Sequence, residues 1–181
     1  DSGMFAARAW WLLKWAGVKT VSLLNGGFQA WRSNGFDVTS QPLEVKPSSI
    51  SIVPPIDWTI SREEILASNN LKLLDARAIE RYSGANEPLD PVAGHIPGAE
   101  SAEFTKNLNQ DMTFKTKDEL LARFNQLKNE EKITVCYCGS GVTACHNILA
   151  FVEAGLPQPK LYVGSWSDWS SNTENLISTG I

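Results

Sequence analysis

One stretch constrains this chain more than any other: Ile133-Thr134-Val135-Cys136-Tyr137-Cys138-Gly139-Ser140-Gly141-Val142-Thr143-Ala144. The β-branched and aromatic residues up to Tyr137 read as a buried strand. Cys-Gly-Ser-Gly reads as the turn that ends it, and the residues from Thr143 as a helix. A loop joining a strand's carboxyl end to a helix's amino end turns successive backbone N–H groups toward one point. Such a loop binds anions and lowers the pKa of a thiol. Cys138 sits where the strand becomes the loop.

The rest of the chain alternates in the same way. Met4 to Ala16 predicts a helix stopped at Gly17, Val21–Leu24 a short strand, Asn25-Gly26-Gly27 a turn, and Phe28–Asn34 a short helix. The polar stretch from Asp37 to Pro55 carries Pro42, Pro47, Pro54 and Pro55 and reads as a linker, with one short strand at Ile50–Val53. Ser61-Arg62-Glu63-Glu64 is an N-cap signature with acids in the first turn, predicting a helix to Ser68. Leu71–Asp75 is a strand and Ile79–Tyr82 one helical turn. Ser83–Gly98 is a loop long enough to be functional. Helices follow at Thr116–Leu127 and Thr143–Ala154, a strand at Leu161–Val163, and a short helix at Ser165–Ser171. Alternation of this kind implies an α/β fold: a mainly parallel sheet with helices on both faces, binding ligands beyond the carboxyl ends of its strands. Cys138 and the Asp75–Arg77 turn both lie at such ends.

Composition narrows the function. The 181 residues suffice for one full domain and part of another. A net charge of -4 without a basic run argues against nucleic acid as the main partner. No apolar run is long enough to span a membrane: Met4 to Ala16 is short and is interrupted by Arg8 and Lys14. The opening Asp1-Ser2-Gly3 lacks the basic start of a signal peptide. Cys136, Cys138 and Cys145 form no CxxC pair and are odd in number. A reducing cytoplasm fits them better than a disulfide framework. His95 and His146 are the only histidines, too few with these thiols to suggest a zinc site.

The chain also repeats itself. Gly17 and Gly155 are separated by the same interval as Trp31 and Trp169. At that single register Leu23 matches Leu161, Gly26 matches Gly164, Ala6 matches Ala144, Gly3 matches Gly141, and Asp1 matches Gly139. Residues 1–40 therefore read as the last third of a first copy, 41–56 as a linker, and 57–181 as a complete second unit. A helix carrying Trp10, Trp11 and Trp15 needs a partner to bury it. The expectation is a two-domain protein whose first copy begins before Asp1. The alternative is a self-contained protein whose first helix packs on the second unit.

At Cys138-Gly139-Ser140-Gly141-Val142-Thr143 the sequence resembles the two-domain rhodanese-type sulfurtransferases, the group of thiosulfate and 3-mercaptopyruvate sulfurtransferases. The likeness continues through Leu74-Asp75-Ala76-Arg77, Arg81-Tyr82-Ser83-Gly84, Gly94-His95-Ile96-Pro97-Gly98-Ala99 and Gly164-Ser165-Trp166-Ser167-Asp168-Trp169. It reaches the first copy through Arg8-Ala9-Trp10-Trp11 and Leu24-Asn25-Gly26-Gly27. The resemblance implies two rhodanese-like domains, each a five-stranded parallel sheet flanked by helices, with catalysis in the second. Its cysteine would take a sulfane sulfur from thiosulfate or 3-mercaptopyruvate as a persulfide. It would pass that sulfur to cyanide or to a thiol, thioredoxin among them, with no metal or organic cofactor. The earlier part of the first domain would be a partner in the same protein.

The same resemblance assigns roles. Cys138 is the nucleophile, and Gly139, Ser140, Gly141, Val142 and Thr143 cradle the donor. Thr143 would also cap the helix, and Val142 would mainly pack. An uncharged Gly-Ser-Gly loop looks like the mercaptopyruvate enzymes, where the serine joins a relay with a histidine and an aspartate of the first domain. Arg81 matches an arginine that grips the donor's carboxylate or sulfonate. The second arginine common in mercaptopyruvate enzymes is missing after Glu87-Pro88, where Leu89-Asp90-Pro91 stands. Asp75 and Arg77 read as a supporting ion pair, His95 as a turn brace, His146 as an exposed or packed helix residue, and Trp166 and Trp169 as packing. Glu103, Phe104 and Lys106 are candidates for the mouth of the site. Two rival functions remain. A cysteine phosphatase would need an arginine at the sixth residue after the cysteine, where Ala144 stands. The other rival is a non-catalytic binding or regulatory module, or an inactive fragment of the enzyme.

Overall fold

The computed structural model describes residues 2–47, 49 and 51–181. Its centre is a five-stranded sheet in the order β1 (Thr59–Ile60), β5 (Lys160–Tyr162), β4 (Ile133–Tyr137), β2 (Leu71–Asp75), β3 (Glu100–Ser101). Every neighbouring pair is parallel, as the alternation of strand and helix requires. Adjacent residues of a strand point to opposite faces, which splits the core in two. Leu74, Cys136, Cys138 and Leu161 point to one face. There they pack with α1 (Met4–Trp15), α5 (Lys117–Leu127) and α6 (Thr143–Glu153). Leu73, Val135, Tyr137 and Tyr162 point to the other, against α3 (Arg62–Ala67), α4 (Ile79–Ser83) and α7 (Ser165–Ser171).

Local chemistry sets the helix starts. Ser61 with Glu64, and Thr116 with Glu119, form reciprocal capping boxes at α3 and α5. Helix α6 is buried from Ala144 to Phe151, which explains its apolar character on every side: the sheet covers one flank and α1 the other. Ala7, Trp10 and Trp11 of α1 are buried in that cluster, whereas Phe5, Leu12 and Leu13 on the same helix are exposed. Among the described residues, no helix is long and apolar enough to cross a membrane.

Two strand expectations are corrected. Val21–Leu24 is extended but joins no strand. Its repeat mate around Leu161 lies between β1 and β4, and no described neighbour plays either part for residues 21–24. In the predicted strand at 50–53, residue 50 lies outside the described residues and 51–53 form no strand. The short helix after the Asn25-Gly26-Gly27 turn is present as α2 (Gly27–Ser33). Two-residue strands β1 and β3 carry too little pattern to read from sequence.

Candidate active site

The strand order places the site. From β2 the chain steps outward to β3, then returns across β2 to β4 and on to β5. The connections therefore part between β2 and β4, where sheets of this kind form their ligand crevice beyond the strands' carboxyl ends. Asp75 pairs in register with Tyr137, and the Ala76 amide donates to the Tyr137 carbonyl at 2.8 Å. Arg77 and Cys138 are thereby carried to the same rim.

Cys138 is 2% exposed and follows β4 directly. Its backbone is held by the start of α7. The Cys138 amide donates to Ser165 Oγ at 3.1 Å, and the Cys138 carbonyl accepts from Trp166 N at 2.9 Å. Ser167 N donates to the Gly139 carbonyl at 2.9 Å. The Gly141 carbonyl accepts from Arg8 Nη1 at 3.2 Å and from Cys145 Sγ at 3.4 Å. Cys145 N donates to the Val142 carbonyl at 3.1 Å. By contrast, no backbone N–H from Gly139 to Thr143 donates to another described residue. Gly141 is left-handed (φ +74) and Val142 right-handed (φ -87), the alternation that turns consecutive amides into a concave nest. The nest merges with the amino end of α6.

Ser140 is exposed at the loop's tip, and Val142 and Thr143 are half-buried. The capping role expected of Thr143 is corrected. The N-cap is Val142, Thr143 is already helical, and no side chain caps α6. Glycine-loop geometry starts the helix one residue earlier than a side-chain cap at Thr143 would. The neighbouring thiols differ in setting. Burial pushes Cys136 well up, and pushes Cys145 up to about 11 despite the hydrogen bond from Arg8.

Arginines form the opposite wall. Arg77 is buried and uses its whole fork: Nε on both Asp75 oxygens (3.1 and 3.0 Å), Nη2 on Asp75 Oδ2 (2.7 Å) and the Gly94 carbonyl (2.6 Å), and Nη1 on Glu87 Oε2 (3.1 Å). Burial works against its charge, but the Asp75 carboxylate more than offsets this and raises its pKa. The Trp166 ring lies under it, 4.7 Å from guanidinium carbon to centroid. Arg81 sends Nε to both Glu87 oxygens at 2.9 Å and Nη2 to Asp90 Oδ2 at 2.9 Å. A Cβ placed on Gly139 would lie 3.3 Å from both Arg81 Nη atoms, so this guanidinium abuts the cysteine loop. Burial alone would raise the Glu87 pKa, but the Arg81 hydrogen bonds and the amides of Leu89 and Asp90 hold it below the usual range.

Other candidates lie away from this crevice. His95 Nδ1 meets the Tyr82 carbonyl at 2.8 Å, and its backbone pairs with Ser178. His146 is buried between the rings of Phe104 and Phe114, and burial pushes its pKa down to about 4. Phe104 therefore belongs to the core rather than to the mouth. Sequence reasoning missed Arg8, Ser165, Ser167, Glu87 and Asp90 as contacts of the site. The serines flanking Trp166 were the available signal, since two small hydroxyls opening a helix beside a parallel strand are placed to hold a neighbouring loop.

Residues 62–172 match the rhodanese-like domain family. The chain is 45% identical over 184 residues to a probable 3-mercaptopyruvate sulfurtransferase of Pseudomonas aeruginosa, covering 98% of this chain and 65% of that protein. It is 37% identical over 177 residues to thiosulfate sulfurtransferase of Rattus norvegicus, covering 93% of this chain and 60% of that protein. A solved structure of the anaerobic ergothioneine biosynthesis enzyme from Chlorobium limicola, in complex with trimethyl histidine, matches with a TM-score of 0.85 at 26% identity. That match covers 98% of this chain and 46% of the other. The chain thus spans less than two thirds of the length of these relatives.

Proposed function

This chain belongs to the rhodanese-like domain family, and we propose on that premise that it is a sulfurtransferase carrying a sulfane sulfur on Cys138. The observation that supports this most is the loop from Gly139 to Thr143: its Gly139, Gly141 and Val142 carbonyls are tied, while its N–H groups donate to no other described residue and adjoin the thiol. Those donors suit an attacking thiolate, and then the terminal sulfur of a persulfide.

With 3-mercaptopyruvate, the Cys138 thiolate attacks the thiol sulfur and the carbon–sulfur bond breaks. Its electron pair leaves with carbon as the enolate of pyruvate, which takes up a proton, and Cys138 is left as a persulfide. With thiosulfate, the sulfur–sulfur bond breaks and sulfite leaves with the pair. Cyanide or an acceptor thiolate then attacks the terminal sulfur and regenerates the thiolate. An uncharged Gly-Ser-Gly loop beside one partly claimed arginine suits a monoanionic mercapto acid better than a dianion. Arg81 grips the donor carboxylate, Ser140 contacts it from the loop tip, and Asp75 and Arg77 brace the crevice. Residues 57–181 act as the catalytic domain, 41–56 as linker, and 1–40 as part of a first, non-catalytic rhodanese domain. Free thiols at three positions suit the cytoplasm, where thioredoxin is a candidate acceptor.

Incubation with 3-mercaptopyruvate or thiosulfate, followed by intact-mass and peptide analysis, tests this reading. One added sulfur on Cys138 is expected, lost on cyanide treatment. Cys138→Ser should show none and lose at least about a thousandfold in sulfur transfer. No sulfur uptake from either donor would favour the non-catalytic module.

A further inference from the structure

Asp90 shares the Nη2 edge of Arg81 with Glu87, whose Oε1 lies 2.9 Å from the same nitrogen. Asp90 Oδ2 accepts from Arg81 Nη2 at 2.9 Å, while Oδ1 accepts from Ser167 Oγ at 2.6 Å. The Asp90 amide donates to Glu87 Oε1 at 3.2 Å, and Pro91 follows it in the chain. The carboxylate is thus held at both oxygens, with its side chain only 9% exposed. Arg81 Nη1 makes no hydrogen bond to a described residue, and its guanidinium abuts Gly139 of the cysteine loop. The rim sets Arg77 and Arg81 against Asp75, Glu87 and Asp90, an excess of one negative charge.

A carboxylate placed here acts in two ways. It competes for the Nη2 edge that a bidentate anion would use, leaving an incoming donor mainly Nη1 and the loop amides. Its charge also repels that donor, and it repels a dianion about twice as strongly as a monoanion. We propose that Asp90 is a specificity residue: a resident carboxylate that weakens the grip of Arg81 on anions and selects against dianionic sulfur donors. This deepens the sulfurtransferase reading and rests on it for the identity of the donors. A purely structural Asp90 would make the opposite prediction, since removing it would loosen Arg81 and weaken anion binding.

Asp90→Asn separates the two, because its amide oxygen can still accept from Ser167. Titration calorimetry with sulfate and with pyruvate reads anion affinity without any turnover. Asp90→Asn should bind sulfate about tenfold tighter than the unaltered chain and pyruvate about threefold tighter. In turnover, the kcat/KM ratio of thiosulfate to 3-mercaptopyruvate should rise about threefold. Ser167→Ala, which frees one carboxylate oxygen, should move both affinities the same way by a smaller factor, and it serves if Asp90→Asn does not fold. Affinities that stay equal or weaken, including no detectable heat from either form, would overturn the role of Asp90. Shifted affinities in a protein that takes up no sulfur would instead leave Asp90 standing and remove the sulfurtransferase reading.

Discussion

In the loop after Cys138 the carbonyls of Gly139, Gly141 and Val142 are occupied, while the N–H groups from Gly139 to Thr143 donate to no other described residue. Along Asp75–Asp90, on the other side of the crevice, the guanidinium groups of Arg77 and Arg81 are claimed mainly by the carboxylates of Asp75, Glu87 and Asp90 in the same segment. The loop is anchored from outside itself, by α7 and by Arg8 of α1, which leaves its N–H groups without a partner among the described residues. The rim anchors itself, through Asp75, Glu87 and Asp90, and its charges are largely spent on that. On the proposed function, an anionic donor would therefore be held mainly by uncharged backbone donors, with one edge of Arg81 as the charged contribution. Within the rim the two arginines differ again. Arg77 uses its whole fork in the interior, while Arg81 keeps Nη1 toward the loop.

The strongest way to break this contrast is at Arg77. Arg77→Ala leaves Asp75 and part of Glu87 buried without a cation, and should destabilise the fold by about 3–5 kcal/mol in urea unfolding. Arg77→Lys should recover little of that, because an ammonium cannot reach the separate acceptors that the planar fork spans. A loss below about 1 kcal/mol for Arg77→Ala would mean that the rim is not self-anchored.

The loop has its own rigid point. Gly141 holds φ +74, and an added Cβ would stand 2.7 Å from the Val163 carbonyl oxygen, a backbone atom that cannot swing aside. Gly141→Ala should cost about 2 kcal/mol and lower sulfur uptake at Cys138, since the nest depends on that conformation. Unchanged stability together with unchanged uptake would show that the loop adapts, and that its open amides are not preorganised.

These two arginines and this glycine also mark what the sequence could and could not reveal. The strand through Tyr137, the thiol at its end and the glycine loop were legible because burial, turn chemistry and spacing are local. The Asp75–Arg77 pair was legible for the same reason, being two residues apart. Helix α1 carried its need for a partner in Trp10 and Trp11, but not the identity of that partner, α6. The contacts from Arg8 to Gly141 and from Ser167 to Asp90 join residues far apart in the chain, and no local pattern encodes them. Residues 21–24 misled because a strand needs neighbours as well as a β-prone sequence. Asp90 was visible only as a missing arginine; its grip on Arg81 emerged from the fold.

A smaller effect distinguishes the rim by pH. Glu87 is buried between Arg77 and Arg81, and its folded pKa lies below the unfolded value near 4.5. Its contribution to stability is thus complete above that value and disappears as pH falls through the lower, folded pKa. Glu87→Gln should be less stable than the unaltered chain at pH 6, and the gap should close progressively below pH of about 4.5. Exposed caps such as Glu119 titrate in both proteins and cancel in the comparison. A gap that stays constant from pH 6 to pH 3, in urea midpoints measured side by side, would remove Glu87 as the rim's titrating anchor.

The smallest expected effect is also the one that joins the two walls. The three atoms nearest to a Cβ at Gly139 would all belong to the Arg81 guanidinium, the closest at 3.3 Å, and the far end of a long side chain can give way by a few tenths of an ångström. Gly139 does not have a positive φ, so alanine brings no backbone strain there. Gly139→Ala should therefore change stability by less than about 0.5 kcal/mol, in contrast to Gly141→Ala two residues later. Its consequence should fall on binding instead, raising KM for 3-mercaptopyruvate about two- to threefold as Arg81 Nη1 is displaced from the donor's position. If Gly139→Ala lowered stability as much as Gly141→Ala, the backbone of the loop and not the Arg81 side chain would be resisting the methyl group. If neither stability nor KM changed, Arg81 would not be the charged part of the anion site, and the loop amides would hold the donor alone.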